Sequence, residues 1–208
     1  MSALAKRFRG YMPVVVDVET GGLDASTDAL LEIAVVLVEH DEKGFFPGET
    51  CDFQVEPFAG ARIVEKSLEI TGIDPDQPLR PAIPEREALQ RIFRSVRRAL
   101  RENDCTRAVL VGHNAFFDLG FLNAAVERSE IKRNPFHPFV SFDTTTLAGV
   151  FLGQTVLARA LEVAGIPQDP DAAHSAGYDA RVTAELFCLL LNRVAPIYRK
   201  AAGASSGT

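Results

Sequence analysis

At 208 residues the chain holds one large domain more readily than two, because roughly 150 residues per domain gives a prior of about 1.4. Hydrophobic residues make up 47% and charged residues 24%, a balance that excludes wholesale disorder and a fibrous chain. The net charge of −6, from 28 acidic against 22 basic residues, argues against coating nucleic acid by bulk electrostatics.

No apolar run approaches the ~18 residues of a spanning helix, and the opening MSALAKRFRG lacks the ~7 to 15 apolar residues of a secretory signal. A soluble, cytoplasmic protein without a membrane partner is therefore expected. Cys51, Cys105 and Cys188 lie far apart with no CxxC pair, as ordinary thiols of a reducing compartment do.

After a basic arm at 6–9, the run PVVVDV (13–18) reads as a strand buried on both faces. Residues 30–38 and 50–55 read as the next two strands around the turn DEKG (41–44), giving an antiparallel meander. The stretch 56–84 is rich in Pro and Gly and predicts a loop with a short helix at 64–69. Over 85–102, Leu89, Ile92, Phe93, Val96, Ala99 and Leu100 follow the helical period. The opposite side carries Arg91, Arg94, Arg98 and Arg101, for which a solvated face is a better reading than a nucleic-acid track.

A short strand at 108–111 runs into Gly112-His113-Asn114 and a helix at 118–128. NPFHPF (134–139) predicts a stiff loop before a strand at 140–143, helices at 144–151 and 156–164, and a last helix at 177–194. One domain over 1–200 and a structureless tail over 201–208 are expected.

Three clusters carry chemistry. Asp17 and Glu19 end a buried strand, where an unpaired carboxylate is costly and usually acquires a cation or a proton. Positions i and i+2 of a strand share a face, so the two converge at a Cα separation of about 7 Å, which suits a shared divalent cation. Asp118 opens a helix after the GHN turn, where helix capping alone would explain it. His174 precedes Asp179 by five residues near the start of the last helix, and a lone histidine there is more often a surface or capping group.

Together these clusters resemble the three motifs of the DEDD exonuclease superfamily in its histidine-containing branch: Asp17-x-Glu19, then Asn114-x-x-Phe117-Asp118, then His174 with Asp179. The chain is more similar still to the ribonuclease T family through TDALLEIA (27–34), VEPF (55–58), RNPFHPF (133–139), FDT (142–144), LGQTVL (152–157) and AHSAGYD (173–179). The resemblance implies an α/β, ribonuclease H-like fold, a mixed β-sheet flanked by α-helices. It also implies a 3′ to 5′ exoribonuclease that trims the ends of tRNA and other stable RNAs, with single-stranded DNA as a further substrate.

In that family Asp17, Glu19, Asp118 and Asp179 would hold two Mg²⁺, with Mn²⁺ as a substitute, and His174 would act as general base. Phe117 and Phe139 are the best-placed stacking platforms for single-stranded 3′ ends of RNA. Asn114 either fixes its own turn or touches the terminal nucleotide. Leu23 and Ile70 stand where the family would have aromatics. Arg7, Arg9, Arg107, Lys132 and Arg133 are candidate contacts to the RNA backbone. The resemblance implies a homodimer in which one protomer's basic patch serves the other's active site. Competing readings are a proofreading-type DNA exonuclease or oligoribonuclease of the same fold, and a non-catalytic nucleic-acid-binding module.

Overall fold

The structure, a computed structural model, describes residues 1–169, 172 and 175–204. A short helix α1 (Ala3–Arg7), N-capped by the Ser2 hydroxyl, occupies what the sequence presents as a basic arm. It leads into β1 (Tyr11–Thr20), whose valines at 14, 15, 16 and 18 are all buried. A strand with both faces covered has no polar alternation, which is why this run is continuously apolar until Asp17.

β2 (Leu30–Asp41) and β3 (Gly44–Glu56) complete the antiparallel meander, with Asp17 opposite Ala34 and Glu19 opposite Glu32. β3 begins at Gly44 rather than at residue 50, so the second turn is tight: Asp41 accepts the N–H groups of Lys43 and Gly44. α2 (Glu65–Thr71) is a surface helix that ends in a left-handed Gly72. β4 (Ile83–Pro84) adds a two-residue edge, and α3 (Glu85–Glu102) buries Leu89, Ile92, Phe93 and Val96 completely. On its outer side Arg91 pairs with Glu87 and Arg98 with Glu49, as a solvated face does.

β5 (Arg107–Gly112) runs parallel to β1, and α4 (Ala115–Arg128) follows after only two residues, His113 and Asn114. β6 (Phe136–Asp143) pairs parallel with β5 and takes in most of the NPFHPF segment, which corrects the expected loop. An edge strand tolerates Pro138, because its missing N–H need not join a ladder. α5 (Thr144–Leu152), α6 (Leu157–Ala164) and α7 (Ala176–Ala204) complete the chain. The six strands lie in the order β4-β3-β2-β1-β5-β6, a mixed sheet flanked by helices, as the expected α/β, ribonuclease H-like arrangement requires.

α7 has two apolar faces. Ala180, Ala184, Phe187, Cys188 and Leu191 join the core on the sheet, while Val182, Leu186 and Leu190 pack with Ala148, Leu161 and Ile166 from the region of α5 and α6. Burial of each such large side chain stabilises the fold by about 1.5–3 kcal/mol. α7 continues to Ala204, beyond the expected end at 194 and through the first four residues of the expected tail; 205–208 lie outside the described residues. Pro196 within it did not stop the helix, although it removes one backbone donor. No single helix among the described residues is long and apolar enough to cross a membrane.

Candidate active site

Because β1 and β5 are parallel and Val15 pairs with Val111, both strands deliver their C-terminal ends to the same edge of the sheet. Asp17 and Glu19 lie at the end of β1, and the Gly112–Asn114 turn at the end of β5. α7 crosses the sheet so that Asp179, in its first turn, joins them. Asp17, Glu19 and Asp179 can each offer a carboxylate oxygen such that all three lie within 4.8 Å of one another.

Asp118 sits in the first turn of α4 and is buried, and its Oδ1 accepts the N–H of Val18 at 3.2 Å. That bond ties the fourth carboxylate to the residue between Asp17 and Glu19. Gly112 makes the approach possible, since a Cβ there would stand 2.8 Å from the Asp118 carboxylate and 3.1 Å from the Ala115 Cα. His174 lies outside the described residues.

The electrostatics are those of crowded anions. Burial pushes the Asp17 carboxyl well above the usual carboxylate range, and the charges of Asp118, Asp179, Glu19 and Glu32 push it further. Glu19 is raised to about 8, by burial first and then by Asp179, Glu32 and Asp118. Asp118 is raised by burial in spite of the backbone N–H groups it accepts. Repulsion of this kind is relieved by a proton or by a cation, and a set made only of carboxylate oxygens is suited to a hard divalent ion.

Asp143 is a support that the sequence reading passed over within FDT. Its Oδ1 accepts the N–H groups of Asn114 and Ala115 at 3.0 and 3.3 Å, and the carboxylate also accepts those of Thr145 and Thr146. One side chain thereby caps α4 and α5 together. Burial would raise its pKa, but these hydrogen bonds, led by Thr146, hold it below the usual value. Asn114 takes a left-handed φ of 68° to enter α4, and its side-chain oxygen accepts the Thr145 hydroxyl, which ties the turn to the start of α5. His113 bridges Thr144 Oγ1 and the Thr155 carbonyl at 3.0 and 2.9 Å, a structural role.

A second pin holds the loop after Glu19. Fully buried Asp28 accepts from Arg62 at 2.7 Å and from the Asp24 N–H at 2.9 Å, and is held down at about 2 chiefly by the Arg62 hydrogen bond. Gly21 bonds through its backbone to Ala29 and Val64 in the same arrangement. Leu23 and Ile70 are both exposed beside this region of the fold.

Phe139 is 77% exposed and lies edge-to-face with His137, whose Nδ1 accepts the Val140 N–H. Phe117 is half-buried against Phe121, whereas its neighbour Phe116 is 77% exposed, an aromatic that the sequence reading did not single out. Arg9, Arg107, Lys132 and Arg133 are exposed, and Arg7 lies over the Tyr198 ring at 3.6 Å. All five stand where β1, β5 and β6 begin, not where the carboxylates gather. The structure therefore does not bring these basic residues to the acidic cluster of the same chain.

Comparison with known proteins agrees with this geometry. A family model described as exonuclease, of the RNase T type, matches residues 14–187. Ribonuclease T of Hahella chejuensis is 57% identical over 193 residues, covering 92% of this chain and 88% of that protein. Among solved structures, E. coli Exonuclease I in complex with a dT13 oligonucleotide superposes with a TM-score of 0.70 at 18% identity over 91% of this chain. The chain spans only 43% of that larger enzyme. A full-length 3′-exonuclease matches with a TM-score of 0.62 and 18% identity, over 88% of this chain and 83% of its own. By sequence and by fold, the chain belongs to the exonuclease family that includes ribonuclease T.

Proposed function

We propose that this chain, a 3′ to 5′ exoribonuclease by family, trims the 3′ ends of tRNA and other stable RNAs in the cytoplasm by metal-dependent hydrolysis. The observation that carries the reading is the convergence of Asp17, Glu19 and Asp179 within 4.8 Å, with Asp118 tied to the same strand. These four carboxylates would hold two Mg²⁺, with Mn²⁺ as a substitute, which supply charge neutralisation at the phosphate and a more acidic water.

The chain's own residues do the rest. His174 takes the proton of the attacking water, a task suited to an ordinary pKa of about 6.5. Phe139 and Phe117, with exposed Phe116 next to Phe117 in the chain, offer faces for the terminal bases, and Asn114 contacts the terminal nucleotide from the turn before Asp118. Arg7, Arg9, Arg107, Lys132 and Arg133 grip the RNA backbone.

Distance supports a homodimer. Tyr11 and Asp17 stand six residues apart on one strand, about 20 Å at ~3.3 Å per residue, so the basic end of one protomer better serves the acidic end of its partner. The likeness to an exonuclease solved with single-stranded DNA favours such DNA as a second substrate.

Incubating the protein with 3′-labelled tRNA precursor, short RNA and single-stranded DNA, with Mg²⁺ or with EDTA, tests the reading. Release of 5′ mononucleotides from RNA only with metal is expected. Internal cleavage, or equal rates in EDTA, would overturn it.

A further inference from the structure

We propose that Glu32 is a positioning residue that fixes the first turn of α7, and through it the place of Asp179 against the β1 carboxylates. The inference rests on the assignment of Asp17, Glu19 and Asp179 to one metal site.

Glu32 stands on β2 between Glu19 of β1 and Gln54 of β3 in the strand register. Its Oε2 accepts the N–H of Ala176, the first residue of α7, at 3.3 Å. The opening N–H groups of a helix have no acceptor within the helix, so an outside acceptor decides where and at what angle the helix begins. Asp179 lies three residues further on, one turn along the same face, and follows any displacement of Ala176.

The acceptor is itself held. The Gln54 side chain donates to Glu32, and Arg80 donates to the carbonyls of Leu31 and Val55, the residue before Glu32 and the residue after Gln54. The Oε1 of Gln54 is buried without a hydrogen-bond partner. A glutamine at 32 could therefore keep the Ala176 bond with its oxygen and donate from its amide to a rotated Gln54, whereas an apolar residue could do neither.

The test compares Glu32→Gln, Glu32→Ala and the near-isosteric Glu32→Met, which fills the space without an acceptor. Mn²⁺ binding by calorimetry, amide exchange over 176–179 in the metal-free protein, and kcat and KM on a short RNA are measured for each. Glu32→Ala and Glu32→Met are expected to weaken Mn²⁺ binding by about 10- to 100-fold, to speed exchange at the start of α7, and to lower kcat with KM nearly unchanged. Glu32→Gln should stay within about twofold of the parent in all three, as the conservation of one hydrogen-bond acceptor requires.

Should Glu32→Ala fail to fold, Glu32→Met and Glu32→Gln decide the matter between them. Parental Mn²⁺ binding and exchange in Glu32→Met would overturn the proposal. So would a Glu32→Gln protein as impaired as Glu32→Met, because charge rather than the hydrogen bond would then be the cause. Asp179→Asn serves as the control: if it too binds Mn²⁺ like the parent, the metal-site reading has failed rather than the role of Glu32.

Discussion

The two ends of the parallel pair β1 and β5 are built on opposite terms. One end gathers Asp17, Glu19, Asp118 and Asp179 on buried β1 and in the first turns of α4 and α7, with Asp118 tied to the Val18 N–H of β1. The other end carries Arg9, Arg107, Lys132 and Arg133 in the open. Chemistry on a phosphodiester needs fixed oxygens at short range, and a backbone grip needs only charge at the right distance. On the proposed function, the same sheet would supply the first through its burial and the second through its exposed rim.

The sharpest way to break this contrast is at the acidic end. Asp17→Asn should lower turnover by on the order of 10²- to 10³-fold and abolish Mn²⁺ binding in calorimetry; an intact binding isotherm would remove Asp17 from the site. His174→Ala is expected to cost on the order of 10²-fold in kcat while Mn²⁺ still binds, and equal turnover would end its role as base.

At the basic end, Arg9→Ala with Arg107→Ala should raise KM several-fold and leave kcat alone, with the salt dependence of binding reduced by about 0.7 per lost contact. Mixing that protein with Asp17→Asn sharpens the comparison further. In the proposed homodimer, mixed pairs would join a sound carboxylate site to a sound basic end, so activity at low RNA should exceed the sum of the two parents. No gain on mixing, or gel filtration of a fully active monomer, would refute the shared arrangement.

Smaller effects follow from titration. Glu19 is raised from 4.5 to about 8, so in EDTA the folded state retains a proton that the unfolded state has lost. The associated stability is complete below pH ~4.5 and is lost as pH rises through about 8, so the melting temperature of the metal-free protein should fall across that window. Mg²⁺ should flatten the fall, and an unchanged profile in its presence would count against a shared cation. Asp28 has the reverse sign: its depressed pKa stabilises the fold above pH ~4 and ceases to do so as pH falls through about 2. Asp28→Asn should lower the melting temperature by roughly 3 °C near neutral pH with little change in kcat.

Much of this was legible in the chain because the signals are local. A valine run stopped by an aspartate marks a buried strand with a reason to end, and the 3.6-residue period of α3 needs no tertiary context. What escaped depends on distant partners. The strand character of 136–139 comes from pairing with β5, which an isolated Pro-containing segment does not announce. Asp143 looks like the cap of a single helix until α4 is placed beside it. Glu32 did carry a signal, an acid between Leu31 and Ile33 in the otherwise apolar run 30–38, the same kind that marks Asp17; its contact with α7 is visible only once the chain is folded.

Both borders of the sheet contain a proline: Pro84 in two-residue β4 and Pro138 in β6. At Pro138 the missing N–H and a carbonyl already taken by the Asn123 side chain leave no ladder for a newcomer. At that border a strand from another molecule finds neither donor nor free acceptor at Pro138, which works against growth of the sheet edge to edge.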